Sequence, residues 1–179
     1  IFDNIWIQPA SGDAGGSLGS ALGLWHHELN NKRLTNKSHD GMSGSYLGPS
    51  FNEKEIEKSL NELGAKYTKI QNEENLIDLV ANELSNKKII GWFQGRMEFG
   101  PRALGARSII ADPRSEKMQK DLNLKIKYRE SFRPFAPSIL IDDLSEWFDL
   151  NIESPYMLLV AKIKKNLQIP MKENEKKLF

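Results

Sequence analysis

Two stretches near the middle of the chain repeat their apolar residues every three or four positions. Residues 52–63 and 75–86 each carry such a stripe, which predicts two amphipathic helices with one buried face. The apolar positions are Ile56, Leu60 and Leu63 in the first stretch and Leu76, Leu79, Val80 and Leu84 in the second. Asn52 and Glu55 match a capping-box pair, and Gly64 follows the last apolar position. These three residues predict where the first helix begins and ends.

Shorter apolar runs, bounded by turn-forming residues, predict strands between and around these helices. The predicted strands cover residues 1–10, 66–70, 88–93, 107–111, 138–141 and 156–163. Further short helices are predicted at 101–105, 116–126 and 144–148. Because strands alternate with helices along the chain, the pattern predicts an α/β fold, in which 88–93 is a buried strand.

The first predicted strand leads into a glycine-rich segment, SGDAGGSLGSAL (11–22). Apolar residues then recur at helical spacing at Leu18, Ala21, Leu22 and Trp25. A strand, a glycine loop and a helix start present backbone N–H groups to a phosphate, so Gly15 and Gly16 are candidate phosphate-binding positions. Asp13, in the predicted loop, is a candidate for holding a metal or orienting a nucleotide. Glycine-rich turns are common, and an ordinary turn is the alternative.

The arginines of this chain are concentrated in one region. Six of the seven lie between residues 91 and 137, whereas the eighteen lysines are spread over most of the chain. The six are Arg96, Arg102, Arg107, Arg114, Arg129 and Arg133. An arginine fork binds phosphate or carboxylate through two hydrogen bonds. Gly95, Gly100 and Gly105 lie among them and adopt positive φ easily, which lets the backbone approach a ligand closely. The combination predicts a site for a small anion.

Pairing of these arginines with nearby acids is the alternative. The acids close enough in sequence to neutralise several of them are Glu98, Asp112, Glu116 and Glu130. Lysines follow on and just beyond the next predicted helix, where a solvated face is the ordinary interpretation: Lys117, Lys120 and Lys127. No Walker A pattern occurs, so a phosphate site here would be of another kind.

Composition narrows the class of protein. The chain has 179 residues, of which 39% are hydrophobic and 27% charged, and its net charge is +1. These values describe a globular protein without a general positive field, which argues against a dedicated DNA or RNA binder. There is no cysteine and no apolar run of about 20 residues, so a reducing cytoplasm is expected and no membrane span is predicted. The chain begins at Ile1 without methionine, which suggests a piece of a longer protein.

The three histidines give no metal-binding pattern. His26 and His27 are adjacent, and neighbouring positions on a helix point about 100° apart. His39 lies in a polar stretch, residues 30–44, that is typical of an exposed loop and leads to a predicted inter-domain linker at 46–51. Surface histidines are therefore favoured over joint metal ligands.

Five blocks, in a fixed order, carry a resemblance to a known family. They span residues 5–158 and read IWIQPASGDAGGSLGSAL, LGP, GWFQGRMEFGPRALGARSIIADPR, IKYRESFRPFAPSIL and SPYM. In these blocks the chain resembles the nodulation-type O-carbamoyltransferase family. The GRMEFGPRALG and RESFRPFAP blocks are long and are the most specific part of the resemblance.

The resemblance implies an architecture of two parts. Residues 1–45 would end an actin-like (ASKHA) ATPase part, as a remnant made of a strand, a glycine loop and a helix. Residues 52–179 would begin a YrdC-like domain, a twisted mixed sheet with helices that is incomplete here. In the family, the YrdC-like part activates carbamoyl phosphate with ATP, giving carbamoyl-adenylate and pyrophosphate. The actin-like part then moves the carbamoyl group to a hydroxyl, typically of a sugar or glycan precursor, with a divalent metal such as iron or magnesium.

The resemblance also assigns roles to residues of this sequence. The residues implied in catalysis are Arg96, Arg102 and Arg133. Those implied in binding ATP and carbamoyl phosphate are Arg107, Lys127, Arg129, Gly15 and Gly16. Asp13 matches a metal-ligand position, but the family's metal histidines lie upstream of SGDAGG and are not matched here. An incomplete metal site is therefore expected, and we predict that these residues alone transfer no carbamoyl group. No membrane or DNA partner is implied, and a homodimer is left open.

Two other functions are weighed against this one. A YrdC-related nucleotide- or RNA-binding module without transferase activity would retain RNA in a manner that falls steeply with salt. A purely structural domain would hold its arginines in carboxylate pairs. In that case Arg96→Ala and Arg133→Ala would lower stability but would have no ligand affinity to lose.

Overall fold

A computed structural model describes residues 5–34 and 40–170 of the chain. The chain divides into two compact units, Ile1–Phe135 and Ala136–Phe179. The described residues form a mixed α/β structure in which five α-helices accompany one two-stranded antiparallel sheet. The α/β class predicted from the alternation of strands and helices is confirmed at this level. None of the described helices is long and apolar enough to cross a membrane.

Helix α1 (Asp13–Gly23) begins inside the segment for which a glycine loop was predicted. Asp13 occupies its first turn, where a carboxylate interacts favourably with the helix dipole. A π-helical turn, Leu24–Glu28, continues the helix and contains both adjacent histidines. The predicted strand at 1–10 is wrong over its described part, because residues 5–8 have no regular structure and the chain turns at 9–12. Residues 1–4 lie outside the described residues.

Helix α2 (Glu53–Glu62) begins where the sequence predicted. The Asn52 side chain accepts a hydrogen bond from the Glu55 N–H at 3.0 Å, and the Glu55 carboxylate accepts one from the Asn52 N–H at 2.8 Å. This reciprocal pair satisfies two N–H groups at the start of the helix. Gly64 lies just beyond the end of α2 with φ +64°, a conformation that glycine adopts without strain.

Helix α3 (Glu73–Ser85) confirms the second predicted helix, and Asn72 caps it. The prediction of buried apolar faces is only partly correct. In α3, Leu76, Val80 and Leu84 are half-buried, whereas Leu79 is exposed. No residue of α2 is fully buried, and Ile56 keeps 45% of its surface exposed. Within the described residues, neither helix has a neighbour that covers its whole apolar stripe.

Strands β1 (Ile90–Phe93) and β2 (Arg107–Ile110) form the sheet. They pair antiparallel, with Ile90 opposite Ile110 and Phe93 opposite Arg107. The Gln94 N–H donates to the Ala106 carbonyl at 3.0 Å and extends the ladder by one bond. Both strands were predicted, but β1 is not a buried strand, since its residues alternate between half-buried and exposed.

The other predicted strands do not form in the described residues. Residues 66–70 and 138–141 have no strand structure, and 156–163 contribute one isolated bridge, Phe148 to Ile163, in the second unit. A strand needs a neighbour to satisfy its N–H and C=O groups. Within the described part, these apolar runs have no partner ladder, so β-propensity alone does not make them strands.

The short helices follow the sequence more closely. Helix α4 (Met118–Asp121) continues into a π-helical turn, Leu122–Ile126, in place of the predicted helix at 116–126. Helix α5 (Leu144–Trp147) confirms the helix predicted at 144–148. Short 3-10 turns lie at Ser43–Ser45, Ile141–Asp143 and Lys165–Leu167. The predicted helical turn at 101–105 is wrong, because this segment is an irregular loop.

The buried core of the described residues is small. The buried apolar residues are Met42, Ala106, Met118 and Leu122 in the first unit and Tyr156 in the second. Three polar residues, Ser45, Glu98 and Asn123, are buried as well, with 1%, 4% and 0% of their surface exposed. Because a buried polar group is costly unless it is hydrogen-bonded, the partners of Glu98 and Asn123 show how the surrounding loops are held.

Residues 46–51, the predicted linker, lie hydrogen-bonded along the segment that follows β1. The Gly48 N–H donates to the Met97 carbonyl at 2.9 Å, and the Met97 N–H donates to the Pro49 carbonyl at 2.9 Å. These bonds hold Gly48 and Pro49 against Met97 without forming a strand pair. The proposed boundary between an actin-like and a YrdC-like part at 46–51 stays a prediction.

Candidate anion-binding site

The loop that joins β1 to β2, residues 94–106, folds around one buried carboxylate. The Glu98 side chain has no exposed surface. Its Oε1 atom accepts hydrogen bonds from the N–H groups of Leu104 at 2.8 Å and Ala106 at 2.7 Å. Its Oε2 atom accepts one from Arg107 Nε at 2.8 Å. We call Glu98, Leu104, Ala106 and Arg107 the Glu98 cluster.

Two opposing effects act on the Glu98 carboxyl. Burial by itself raises its pKa, since it penalises the charged form. Hydrogen bonds from the Arg107 guanidinium and from backbone N–H groups favour the carboxylate more strongly, and the pKa falls to about 2. Glu98 is therefore ionised at neutral pH and neutralises Arg107 within the loop.

The Arg107 guanidinium is directed at protein acceptors. Besides Glu98 Oε2, it donates from Nη2 to the carbonyl oxygens of Glu98 at 3.2 Å and Gly100 at 3.3 Å. Only 32% of its side chain is exposed. The assignment of Arg107 to ATP or carbamoyl phosphate stays a prediction, and any ligand would have to compete with these bonds.

Arg102 and Arg96 lie exposed on or beside the same loop. Within residues 5–34 and 40–170, Arg102 makes no hydrogen bond or ion pair. Arg96 donates from Nη1 to the Gly48 carbonyl at 2.8 Å, so its partner is neutral. These two arginines therefore carry charge that no acid of the described part offsets at close range.

The glycines of the loop have the geometry that the sequence predicted. Gly95, Gly100 and Gly105 have φ values of +60°, +101° and +117°. The space beside Gly100 is filled by Ala10, and a Cβ at Gly105 would lie 3.1 Å from the Tyr46 hydroxyl. That hydroxyl donates to the Leu104 carbonyl at 2.7 Å. The space beside Gly100 and Gly105 is thus occupied by other residues of the protein.

Ala10 brings the SGDAGG segment next to the loop. Its side chain lies against Gly100, and its carbonyl oxygen lies against Gly15, where a Cβ would clash. Gly15 therefore serves close packing at the start of α1, and Gly16 lies exposed in the same turn. The structure places the start of α1 and the loop around Arg102 side by side within the first unit.

A second buried polar group fixes the segment that carries Arg129 and Arg133. Asn123 Nδ2 donates to the carbonyls of Ser131 at 3.2 Å and Arg133 at 2.8 Å. Asn123 Oδ1 accepts from Arg129 Nε at 2.6 Å. Gln119 Nε2 also donates to the Arg133 carbonyl at 3.1 Å. We call Gln119, Asn123, Arg129 and Arg133 the Asn123 cluster.

The side chains of this second cluster differ in their availability. The Arg129 guanidinium lies 4.8 Å from the centre of the Phe135 ring, a cation–π contact. Arg133 Nε forms an ion pair with Glu130 Oε2 at 2.8 Å, with both side chains about half exposed. Lys127 is exposed and has no ion pair within the described part of the chain. A ligand would find Lys127 free, whereas it would have to displace Glu130 from Arg133.

The alternative of arginine–acid pairing is confirmed for three of the six arginines. The pairs are Arg107 with Glu98, Arg114 with Asp112, and Arg133 with Glu130. Hydrogen bonds from the Arg114 side chain and backbone lower the pKa of Asp112 to about 2. A hydrogen bond from the Glu130 backbone to its own carboxylate, together with the nearby positive charge of Arg133, lowers the pKa of Glu130. The described residues thus divide the six arginines of this stretch into three that pair with an acid and three that have no acid partner in the described part, Arg96, Arg102 and Arg129.

The residues present do not fit a metal site. Asp13 is exposed at the start of α1, and no group of three His, Asp or Glu residues in the described ranges is arranged to hold a metal ion. His26 Nδ1 lies 2.9 Å from the Asn31 carbonyl, and His39 lies outside the described residues. The assignment of Asp13 as a metal ligand stays a prediction.

Sequence reasoning missed the organising role of Glu98 and Asn123. Glu98 was counted only as a charge partner, and Asn123 was not singled out. The available clue was placement, since both are polar residues next to segments that turn sharply. Tyr46 was likewise missed, because its bond to Leu104 joins residues distant in sequence.

Comparison with known proteins identifies the family. Residues 81–174 match the family described as carbamoyltransferase C-terminus. Nodulation protein NolO of Bradyrhizobium diazoefficiens is 41% identical over 167 residues, 92% of this chain and 30% of the relative. The chain belongs to the carbamoyltransferase family, which confirms the resemblance found in its motifs.

Other relatives span a range of sources. An uncharacterised protein of Synechocystis sp. is 53% identical over 180 residues, 99% of this chain and 29% of the relative. The 3'-hydroxymethylcephem-O-carbamoyltransferase of Amycolatopsis lactamdurans is 30% identical over 165 residues, 92% of this chain and 29% of the relative. The chain thus spans less than a third of the length of these curated relatives.

Proposed function

We propose that the chain is part of an ATP-dependent O-carbamoyltransferase. The whole protein would activate carbamoyl phosphate as carbamoyl-adenylate and transfer the carbamoyl group to a hydroxyl of a sugar-like acceptor. The observation that carries the proposal is family membership over residues 81–174, which include the whole arginine-rich stretch. The Amycolatopsis relative is named a 3'-hydroxymethylcephem-O-carbamoyltransferase, and this name supports a hydroxyl as the acceptor.

The exposed cations are suited to the first half of this reaction. Carbamoyl phosphate and ATP are both polyanions, so bringing them together requires positive charge that offsets their repulsion. Arg102 and Lys127 make no ion pair in the described part, and Arg96 is bound only to a carbonyl. We assign these three side chains to the phosphates of the two substrates.

The remaining basic residues contribute less directly. Arg129 is held by Asn123 and Phe135, which fixes its position without neutralising its charge. Arg133 would join the substrates by exchanging Glu130 for a phosphate, since both partners are half exposed. The start of α1, with Gly15 and Gly16, lies next to the loop and would add backbone N–H groups.

The second half of the reaction is not assigned to residues here. In the family, the transfer step uses a divalent metal, and the described residues offer Asp13 without further ligands. For the same reason we expect the 179-residue chain alone to transfer no carbamoyl group to a sugar hydroxyl, which a radiolabelled carbamoyl phosphate assay would check. Transfer above background would contradict this expectation.

Calorimetric titration with ATP and with carbamoyl phosphate, separately and together, tests the proposed function. We expect binding to the parent chain and about a tenfold or greater loss in Arg102→Gln, the loss of one charge-assisted contact. Arg33→Gln is the matched control, because it removes the same charge from an exposed position outside the arginine-rich stretch. A folded parent that binds neither substrate would contradict the proposal.

A further inference from the structure

We propose that Glu98 is a positioning residue, which fixes the loop 99–106 so that Arg102 is held in solvent, where an anionic ligand can reach it. The inference rests on the proposed function, since it takes the ligand to be ATP or carbamoyl phosphate. It adds a role for a buried acid in a site otherwise built from cations.

The loop has no regular structure of its own to hold it. Beyond the bond from Gln94 to Ala106, the ladder of β1 and β2 does not continue into it. The Glu98 carboxylate takes the place of that ladder. It accepts from the N–H groups of Leu104 and Ala106 at 2.8 and 2.7 Å and so ties the far end of the loop back to its beginning.

Arg107 completes this tie, and most of its N–H donors are bound to the protein as a result. Its guanidinium donates to Glu98 Oε2 at 2.8 Å and to the carbonyls of Glu98 and Gly100 at 3.2 and 3.3 Å. These bonds occupy three of the five N–H groups of the guanidinium, so a ligand would have only the two on Nη1. Arg107 therefore acts with Glu98 as a clamp, and the arginine that contacts the ligand is Arg102.

Arg102 lies between two fixed points of the loop. On one side, the Gly100 carbonyl accepts from Arg107, and Gly100 packs against Ala10. On the other side, Leu104 is bound by Glu98 through its N–H and by the Tyr46 hydroxyl through its carbonyl at 2.7 Å. The backbone around Arg102 is thus held while its side chain makes no bond to the described protein. Because its backbone is already held, Arg102 loses mainly side-chain conformational entropy when it binds an anion.

A purely structural role for Glu98 predicts something different. If Glu98 only stabilised the fold, changes at Glu98 and Arg102 would affect ligand affinity independently. If Glu98 acts through Arg102, its effect on affinity disappears once Arg102 is removed. Charge-preserving variants separate positioning from simple charge effects.

The experiment uses Glu98→Asp, Arg102→Gln and the double variant, titrated with ATP and with carbamoyl phosphate. Aspartate keeps the charge but is one methylene shorter, so it cannot keep all four bonds to the carboxylate, which come from Arg107 Nε and from the N–H groups of Leu104, Ala106 and Arg107. We expect about a tenfold loss of affinity in Glu98→Asp, a loss of similar or larger size in Arg102→Gln, and no further loss in the double variant. Arg107→Lys, which also keeps its charge, should behave like Glu98→Asp and serves if Glu98→Asp does not fold.

Amide hydrogen exchange gives a second readout that needs no ligand. In Glu98→Asp, the N–H groups of Leu104 and Ala106 should exchange at least about tenfold faster, because their acceptor is withdrawn. The control is Glu83→Asp, which shortens an acidic side chain on α3. Glu83 forms an ion pair with Lys88, in which the Nζ–Oε2 distance is 2.8 Å. Glu83→Asp should change neither affinity nor exchange in the loop.

Three results would overturn the inference. One is a folded Glu98→Asp or Arg107→Lys that binds both substrates as the parent does. Another is an additive loss in the double variant. The third is lowered affinity with unchanged exchange at Leu104 and Ala106. A folded parent that binds neither substrate refutes the proposed function, and the inference falls with it, whereas failure confined to the variants overturns the inference alone.

Discussion

Two regions of the first unit are ordered in opposite ways. The segment from α2 to α3, residues 53–85, is mostly regular helix with well-formed caps, yet it buries no residue completely. The segment 94–135 has less regular structure, yet it contains the buried polar side chains Glu98 and Asn123. Most of the backbone groups that they contact lie in loops, at Leu104, Ala106, Ser131 and Arg133. Regular secondary structure and fixed geometry are therefore separate properties in this protein.

This difference between the helical and the loop region indicates where side chains can be positioned to bind an anion. A capped helix satisfies its backbone locally, and its side chains remain free to face a neighbour or solvent. A loop tied to a buried acid or amide holds its side chains in one place without a helix or strand beneath them. The exposed Arg102 and Lys127 both lie in or beside such loops.

The largest expected effect is at Glu98. Glu98→Ala leaves three N–H groups and the Arg107 guanidinium without their acceptor. Breaking a buried ion pair of this kind costs about 3–5 kcal/mol. Urea unfolding measures the loss in the free energy of unfolding. Glu62→Ala, which removes an exposed partner of Lys58 on α2, is the control and should change stability little. Equal effects in the two variants would contradict the distinction between the regions.

Asn123→Ala is expected to have the next largest effect. It removes the three hydrogen bonds that the buried Asn123 side chain makes with Arg129, Ser131 and Arg133, at a cost of about 1–3 kcal/mol. Urea unfolding gives the stability, and hydrogen exchange should show faster exchange of the Arg129 N–H. Asn75→Ala is the matched control, because the exposed Asn75 side chain on α3 makes no hydrogen bond within the described part of the chain. Unchanged stability in Asn123→Ala would mean that the second loop is held by other contacts.

Asn52→Ala tests the helical region. Loss of the capping box should cost about 1 kcal/mol and lower the helix signal in circular dichroism. The affinity for ATP and carbamoyl phosphate should stay the same, since α2 has no role in the loop. Asn52→Asp keeps a capping oxygen and should retain the stability. A change in ligand affinity on Asn52→Ala would show that the two regions are coupled.

The smallest effect at neutral pH comes from the titration of Glu98. It changes the free energy of unfolding only in acid. Its folded pKa of about 2 lies below its ordinary value of 4.5, so the stability it contributes is fully present above about pH 4.5. That stability is lost as the pH falls through the range from 4.5 towards 2. The free energy of unfolding, followed from pH 6 to about pH 2.5, should fall less steeply in Glu98→Gln than in the parent. Identical slopes would mean that the carboxylate gains nothing from its partners.

The printed sequence determined the features that depend on near neighbours. Asn52, Glu55 and Gly64 set the ends of α2, because caps act within one turn of the helix. The motif blocks determined the family, which the comparisons confirmed over residues 81–174. Alternation of apolar runs gave the α/β class and both strands of the sheet. Each of these follows from residues close together in the chain.

Only the tertiary structure decided which predicted strands form and which arginines stay exposed. Residues 66–70, 138–141 and 156–163 have strand-like composition, but a strand exists only where another ladder satisfies its backbone. Arg102 and Arg107 look alike in the sequence, and they differ because the fold places a buried carboxylate against one of them and none against the other. Such partners come together across loops and turns, where no periodic pattern records them.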